Sequence, residues 1–324
     1  MTEAPVAPRD FAPANTRLPA WPGPVLTIFG FALGAGGAVG LALIAERAVR
    51  AQAQPALIGI AAVGVVMLLV GLVYELIRQL RKRRALSSDR YRGPAVVLLL
   101  ALAFVLGSIV QIPFTADALA LLSDEGGGVT LVGSIVLLTS LQVALVGVTW
   151  LFVVRPRAIA FAIPLLGTGR LRALGTGMGW GVLAWIVASA VTFLMVLLLE
   201  RVGVPPVPGP AEQAIDALEP WIVVPAIVVV APIAEELFFR GVAFNAWLRE
   251  RGRRFAYIGS AALFATIHVS LVSLLPIFLL GLALAWVYRR TGSLLAPIAM
   301  HATVNGISVA FAMLIRYGVI SPPA

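Results

Sequence analysis

Apolar residues run through this chain in long blocks rather than at alternating positions. Nine blocks stand out: Val25 to Ile44, Pro55 to Ile77, Pro94 to Phe114, Val129 to Val154, Gly177 to Leu199, Trp221 to Trp247, Phe255 to Leu271, Leu274 to Tyr288 and Ser293 to Ile315. A run of about 20 apolar residues is long enough, as a helix, to cross roughly 30 Å of hydrocarbon. Period-two alternation, the mark of a transmembrane barrel, is missing. The pattern predicts an all-α transmembrane protein, a polytopic helical bundle of about nine spans. Eight is the alternative, because Ala51-Gln52-Ala53 resembles a signal-peptide cleavage site that would remove the first span. Residues 1–23 are polar and proline-rich without any period and read as a disordered arm.

The charges between the blocks orient them. Arg78, Arg81, Lys82, Arg83, Arg84, Arg90 and Arg92 follow the second block, Arg155, Arg157, Arg170 and Arg172 the fourth, Arg249, Arg251, Arg253 and Arg254 the sixth, and Arg289 and Arg290 the eighth. The intervening loops carry Asp117, Asp124, Glu125, Glu212, Asp216 and Glu219. Cytoplasmic loops hold the Lys and Arg excess, so the N-terminus is expected inside and the C-terminus outside. Arg47 and Arg50 are the one departure. Trp21, Trp150, Trp221, Trp247 and Trp286 fall near block ends, as an interfacial belt does.

Composition adds exclusions. The 324 residues are 60% hydrophobic and 12% charged, too little polar surface for a soluble globule of this size. The net charge of +9 belongs to the loops, which makes topology and anionic lipid headgroups, not nucleic acid, the economical explanation. With no cysteine, disulfides, thiolate metal sites and a cysteine nucleophile are excluded. Arginine-rich, Ala-, Gly- and Val-rich usage is compatible with a GC-rich bacterial genome and a bacterial inner membrane. Gly30 and Gly34, with Gly36 and Gly40, set two small-xxx-small spacings that admit a close helix neighbour.

The chemistry sits where charge is costly. The two histidines of the chain, His268 and His301, fall in apolar blocks, as do Glu235 and Glu236. Ionisable groups inside a membrane mark a functional site by default. Counting about 1.5 Å per residue from the basic ends puts Glu235, His268 and His301 at a common depth of roughly 12 to 20 Å. Residues four apart share a helix face, which pairs Glu236 with Arg240, Phe264 with His268 and His301 with Asn305. Two adjacent carboxylates do not both ionise easily in an apolar medium without a cation such as Arg240. An unpaired Glu235 is then a candidate general base or acid.

Glu235-Glu236-x-x-x-Arg240, Phe264-x-x-x-His268 and His301-x-x-x-Asn305, in that order on successive helices, resemble the CPBP intramembrane proteases, the CAAX-protease and bacteriocin-processing (Abi) family. The resemblance covers about Trp221 to Ile315. The apolar blocks give N-terminal transmembrane helices over 24–176, where nothing is family-specific up to about residue 175, and the resemblance implies a catalytic set of CPBP type over 177–324. It also implies hydrolysis of a peptide bond in a membrane-associated peptide or protein, in a cavity opening toward the cytoplasm. Glu235 and His268 would activate water, His301 and Asn305 would stabilise the oxyanion, and Glu236, Arg240 and Phe264 would support them.

Zinc is the open question of cofactor. Glu236, His268 and His301 offer three ligands with Glu235 as base, although there is no His-Glu-x-x-His helix. A metal-independent glutamate protease is the preferred expectation, because Asn305 beside His301 reads as an oxyanion donor pair. The rival classes are a proton-coupled carrier, against which the absence of a matching polar set in the first half speaks, and a non-catalytic immunity protein.

Overall fold

The computed structural model describes residues 18–43, 47–87, 89–115, 117, 129–159, 169–204, 210–268 and 270–321. The expected arm up to residue 17, Asp124 and Glu125 lie outside the described residues. All regular structure among those described is helical: α1 (Pro22–Leu43), α2 (Arg47–Arg83), α3 (Val96–Gln111), α4 (Leu131–Thr149), α5 (Arg170–Arg201), α6 (Pro210–Ala217), α7 (Pro220–Arg251), α8 (Arg253–Thr266), α9 (Leu271–Thr291) and α10 (Leu295–Arg316). Eight of them are long and apolar enough to cross a membrane; α6 and α8 are the exceptions.

The seventh predicted span, Phe255 to Leu271, is therefore corrected. Its helix stops at Thr266, a turn carries His268, and Ser270 caps α9 by accepting the Ser273 N–H at 3.3 Å. A side-chain acceptor at that position satisfies a donor the new helix leaves open. Fourteen residues of α8 span about 21 Å, short of the hydrocarbon thickness. His268 thus sits at a helix end, not within a span.

The chain divides into two compact units, Met1–Lys82 and Arg83–Ala324. In the first, α1 and α2 pack through glycine. A Cβ on Gly30 would fall 2.3 Å from the Leu68 backbone, and one on Gly64 would fall 2.2 Å from that of Gly34. Gly36 of the expected spacing meets nothing, and Gly37 takes its place against Ala61. Such close backbone approach is how helices associate in lipid, where no hydrophobic drive separates them from the solvent.

The second unit is built around α7, which packs against α4, α8, α9 and α10. Half of its apolar window is buried, against none of that in α5. The α5 helix instead lays Gly177 and Gly181 on Ala296, Ala299, Met300 and Thr303 of α10. At one end of the unit Phe244, Ala256 and Ala285 form a core with Trp247, Leu248, Tyr257 and Tyr288. Arg83 pairs with Glu250 at 2.6 Å there, and the Arg92 N–H donates to Ala158 O at 2.7 Å. Gly252 (φ 82°) and Gly292 (φ 65°) make the tight turns that return the chain from α7 into α8 and from α9 into α10, conformations glycine adopts without strain. The arginine-rich loops after α2, α4 and α7, and the end of α9, consequently gather at this one end. At the other end Ile215, Leu218, Val223 and Val309 form a second core, closed by Arg316 donating to Ile215 O and Leu218 O.

Candidate active site

Glu235 is the sixteenth of the 32 residues of α7, half-way between the two cores. The helix is not α throughout. Val224–Val230 and Leu237–Phe244 are π-helical, and the single α-turn between them, Ala231–Glu236, carries both carboxylates. Insertions of this kind recur at functional sites because they re-aim side chains. Pro232 gives the first one its cause. The Ala231 N–H reaches back to Ala226 O, and the residue five beyond Ile227 is Pro232, which has no N–H. Ile227 O, so left without its helical donors, accepts Asn305 Nδ2 from α10 at 2.9 Å.

The two carboxylates flank one imidazole. Glu236 Oε1 accepts from Arg240 Nη1 at 2.8 Å and from His301 Nδ1 at 3.0 Å, while His301 Nε2 lies 3.9 Å from Glu235 Oε2. Glu236 and Arg240 have no exposure, His301 has 3% and Glu235 has 8%. Arg240 also donates from Nη2 to Gly281 O of α9 at 3.0 Å and stacks 4.6 Å over the Phe264 ring. The guanidinium is bonded to Glu236 and not to Glu235. Glu235 Oε2 is buried without a hydrogen-bond partner among the described residues.

Phe264 is the centre of the cluster. Its ring meets Phe239, His268 and His301 edge to face at centroid distances of 5.1, 4.9 and 5.5 Å, a geometry that aromatic quadrupoles favour. It separates the two imidazoles and fixes the tilt of each. His268 Nδ1 lies 2.8 Å from Phe264 O. A carbonyl only accepts, as does an ionised carboxylate, so both histidines hold their proton on Nδ1 when neutral, which leaves both Nε2 atoms as acceptors.

Glu235, Glu236 and Arg240 of α7, Phe264 of α8, His268 in the turn after it and His301 of α10 are therefore brought together around Glu236 and Phe264. Asn305 is turned from His301 toward Ile227 O with one of its two N–H groups. Residues the motif spacing did not announce are Gly281, Phe239, Asn245 and Tyr288. The cue for the last two is an asparagine inside an apolar helical run, where its side chain competes for backbone groups. Glu236 Oε1 is engaged by Arg240 and His301, and no three acidic or histidine side chains among the described residues are grouped to hold an ion.

Gly281 lets its carbonyl reach Arg240. A Cβ there would fall 2.9 Å from Ala261 Cα on α8, so Gly281→Ala is expected to part α8 from α9. The thermal midpoint in detergent should drop clearly, whereas Gly147→Ala, with open space around it, should leave it level or raise it.

Residues 217–307, which contain this whole constellation, match the family model described as type II CAAX prenyl endopeptidase Rce1-like. An uncharacterised 24.3 kDa protein of Escherichia coli is 30% identical over 170 residues, 49% of this chain and 73% of that protein. This chain belongs to the CPBP intramembrane protease family. YdiL of Bacillus subtilis, named as a candidate membrane peptidase, is 34% identical over 93 residues, 29% of this chain and 37% of its own length. The UPF0177 protein YxdF of Lactococcus lactis is 30% identical over 78 residues, 24% of this chain and 42% of its own. The matched region is thus less than half of both of those relatives. No solved structure matches the chain. The family match ends two residues beyond Asn305, so the CPBP likeness and the geometric cluster coincide on the same helices.

Proposed function

We propose that the chain is an intramembrane endopeptidase with Glu235 as general base. The observation that carries this reading is the unpartnered, buried Glu235 Oε2 lying 3.9 Å from His301 Nε2. That separation is too long for a direct hydrogen bond and suits a water that donates to Glu235 and, when the His301 ring is doubly protonated, accepts from its Nε2–H. Glu235 takes a proton from the water while His268 Nε2 orients it by accepting the other. The hydroxide oxygen attacks the scissile carbonyl carbon, forming a tetrahedral oxyanion. Collapse breaks the C–N bond, and the proton on Glu235 passes to the leaving amine, restoring the carboxylate. The second N–H of Asn305 and, when its ring is doubly protonated, Nε2–H of His301 donate to the oxyanion; such a donor is worth about 3 kcal/mol. Glu236 and Arg240 hold the His301 ring.

The gathering of arginine loops at one end supports an orientation with that end in the cytoplasm, against anionic headgroups. The site then takes a membrane-anchored peptide reaching in from the bilayer, with no metal in the reaction.

The test is a panel of quenched membrane-proximal peptides, with and without a prenylated C-terminal cysteine, incubated with purified protein in the presence and absence of a chelator. Cleavage by the wild-type protein that survives the chelator supports the reading. Cleavage lost with the chelator and restored by zinc would replace it with a metalloenzyme.

A further inference from the structure

The π segments of α7 leave two gaps in its backbone ladder, and an asparagine fills each. Asn305 closes the first, at Ile227 O. The second lies on the far side of the carboxylates. There the backbone N–H of Asn245 turns to Val242 O, and Arg240 O, which a π-helix fills from the residue five further on, receives the Asn245 side chain instead. Asn245 Nδ2 is 2.8 Å from Arg240 O, 3.1 Å from Gly241 O and 2.9 Å from Tyr288 Oη.

Tyr288 stands on α9, seven residues after Gly281, whose carbonyl accepts the Arg240 guanidinium. One helix therefore holds Arg240 at both ends: its side chain directly and its own carbonyl through Asn245. Phe244 packs edge to face on Tyr288 at 6.0 Å and on Tyr257 at 5.1 Å, so the Tyr288 ring has little freedom to follow a shift of α7. We propose that Asn245 and Tyr288 are positioning residues of the active site, acting through Arg240 and Glu236 on the protonated Nδ1 of His301.

The physical reason is register. Without the Asn245 amide, Arg240 O and Gly241 O each lose a side-chain donor in a buried segment, and closing to α pitch, which serves Arg240 O from the Phe244 N–H, relieves that cost. Removing one residue's worth of winding turns the two flanks of the segment by about 100° relative to one another. Arg240 then leaves Gly281 O and Glu236, and the Glu236 carboxylate is free to let the His301 ring change tautomer or rotate. His268 meets this path only through the Phe264 ring, and its Nδ1 proton stays on Phe264 O of its own helix.

The inference rests on the endopeptidase reading for its kinetic consequence only, and the test separates the two. The chain has two histidines, so the full-length protein labelled with nitrogen-15 histidine gives two imidazole spin systems. Asn245→Ala and Tyr288→Phe are compared with wild type in lipid nanodiscs, with thermal midpoints recorded alongside. The expected result is a change of the His301 ring nitrogens away from the fixed Nδ1–H pattern, with those of His268 keeping theirs. On a cleaved peptide, kcat should fall about tenfold or more while KM stays within about twofold. Unmoved signals from both histidines in folded variants would overturn the proposal, and so would equal changes in both, which indicate general loosening. Tyr288→Phe removes one hydroxyl and decides the matter if Asn245→Ala does not fold. A wild-type protein that cleaves no peptide counts against the endopeptidase reading alone, because the imidazole signals still report on the positioning role.

Discussion

Glu235→Gln is expected to reduce kcat by roughly two to four orders of magnitude, the usual worth of a general base, without loss of folded protein. Glutamine has the size and polarity of the carboxylate and cannot take the water's proton. The site tolerates it because Glu235 Oε2 makes no hydrogen bond in the resting structure, so no partner among the described residues is stranded. Removing a negative charge that is 8% exposed and lacks its own cation relieves a desolvation cost, and the thermal midpoint should hold or rise. Purified variant and wild type are compared on the same peptide, with circular dichroism as the control. A variant retaining more than about a tenth of wild-type kcat would assign the base elsewhere.

Arg240→Ala should do the opposite, removing the protein rather than the chemistry. Arg240 and Glu236 have no exposure, and the guanidinium is bonded to Glu236 and Gly281 O and stacked on Phe264. Breaking a buried pair from one side costs about 3 to 5 kcal/mol, since the remaining charge has no water to turn to. The expected readout is a large fall in folded yield by size-exclusion chromatography. Glu236→Gln should lie between, because the amide oxygen can still accept one bond while Arg240 loses its counter-charge. The double change Glu236→Leu with Arg240→Met removes both charges together and is expected to recover much of the folded yield while staying inactive. Recovery of activity in that double variant would contradict a role for Glu236 in holding His301.

The six motif residues and Phe264 were legible because each motif is local. Glu236 and Arg240, Phe264 and His268, or His301 and Asn305 are within one turn of each other, and a spacing of four is read directly. The polytopic bundle was legible for the same reason, since a 20-residue apolar run carries its own evidence. The seventh span was not, because the Phe255 to Leu271 run stays apolar through a helix break that only Ser270, a capping residue, betrays. The orientation of Asn305 was not legible either. Spacing puts it beside His301, but the carbonyl that takes its N–H exists as an open acceptor only where α7 departs from α pitch at Pro232.

By itself the sequence determined which groups are present: two carboxylates, two imidazoles, a guanidinium and an amide, in apolar runs where charge is costly. The tertiary structure decided how they are paired. It set both Nδ1 atoms on acceptors, put Arg240 between Glu236, Gly281 and Phe264, and left one oxygen of Glu235 without a partner. The His301–Glu236 and Arg240–Gly281 contacts join residues tens of positions apart, and the two π segments add winding that no periodicity count assumes. Pairing follows from packing, because a buried charge takes whichever partner the neighbouring helix brings within about 3 Å.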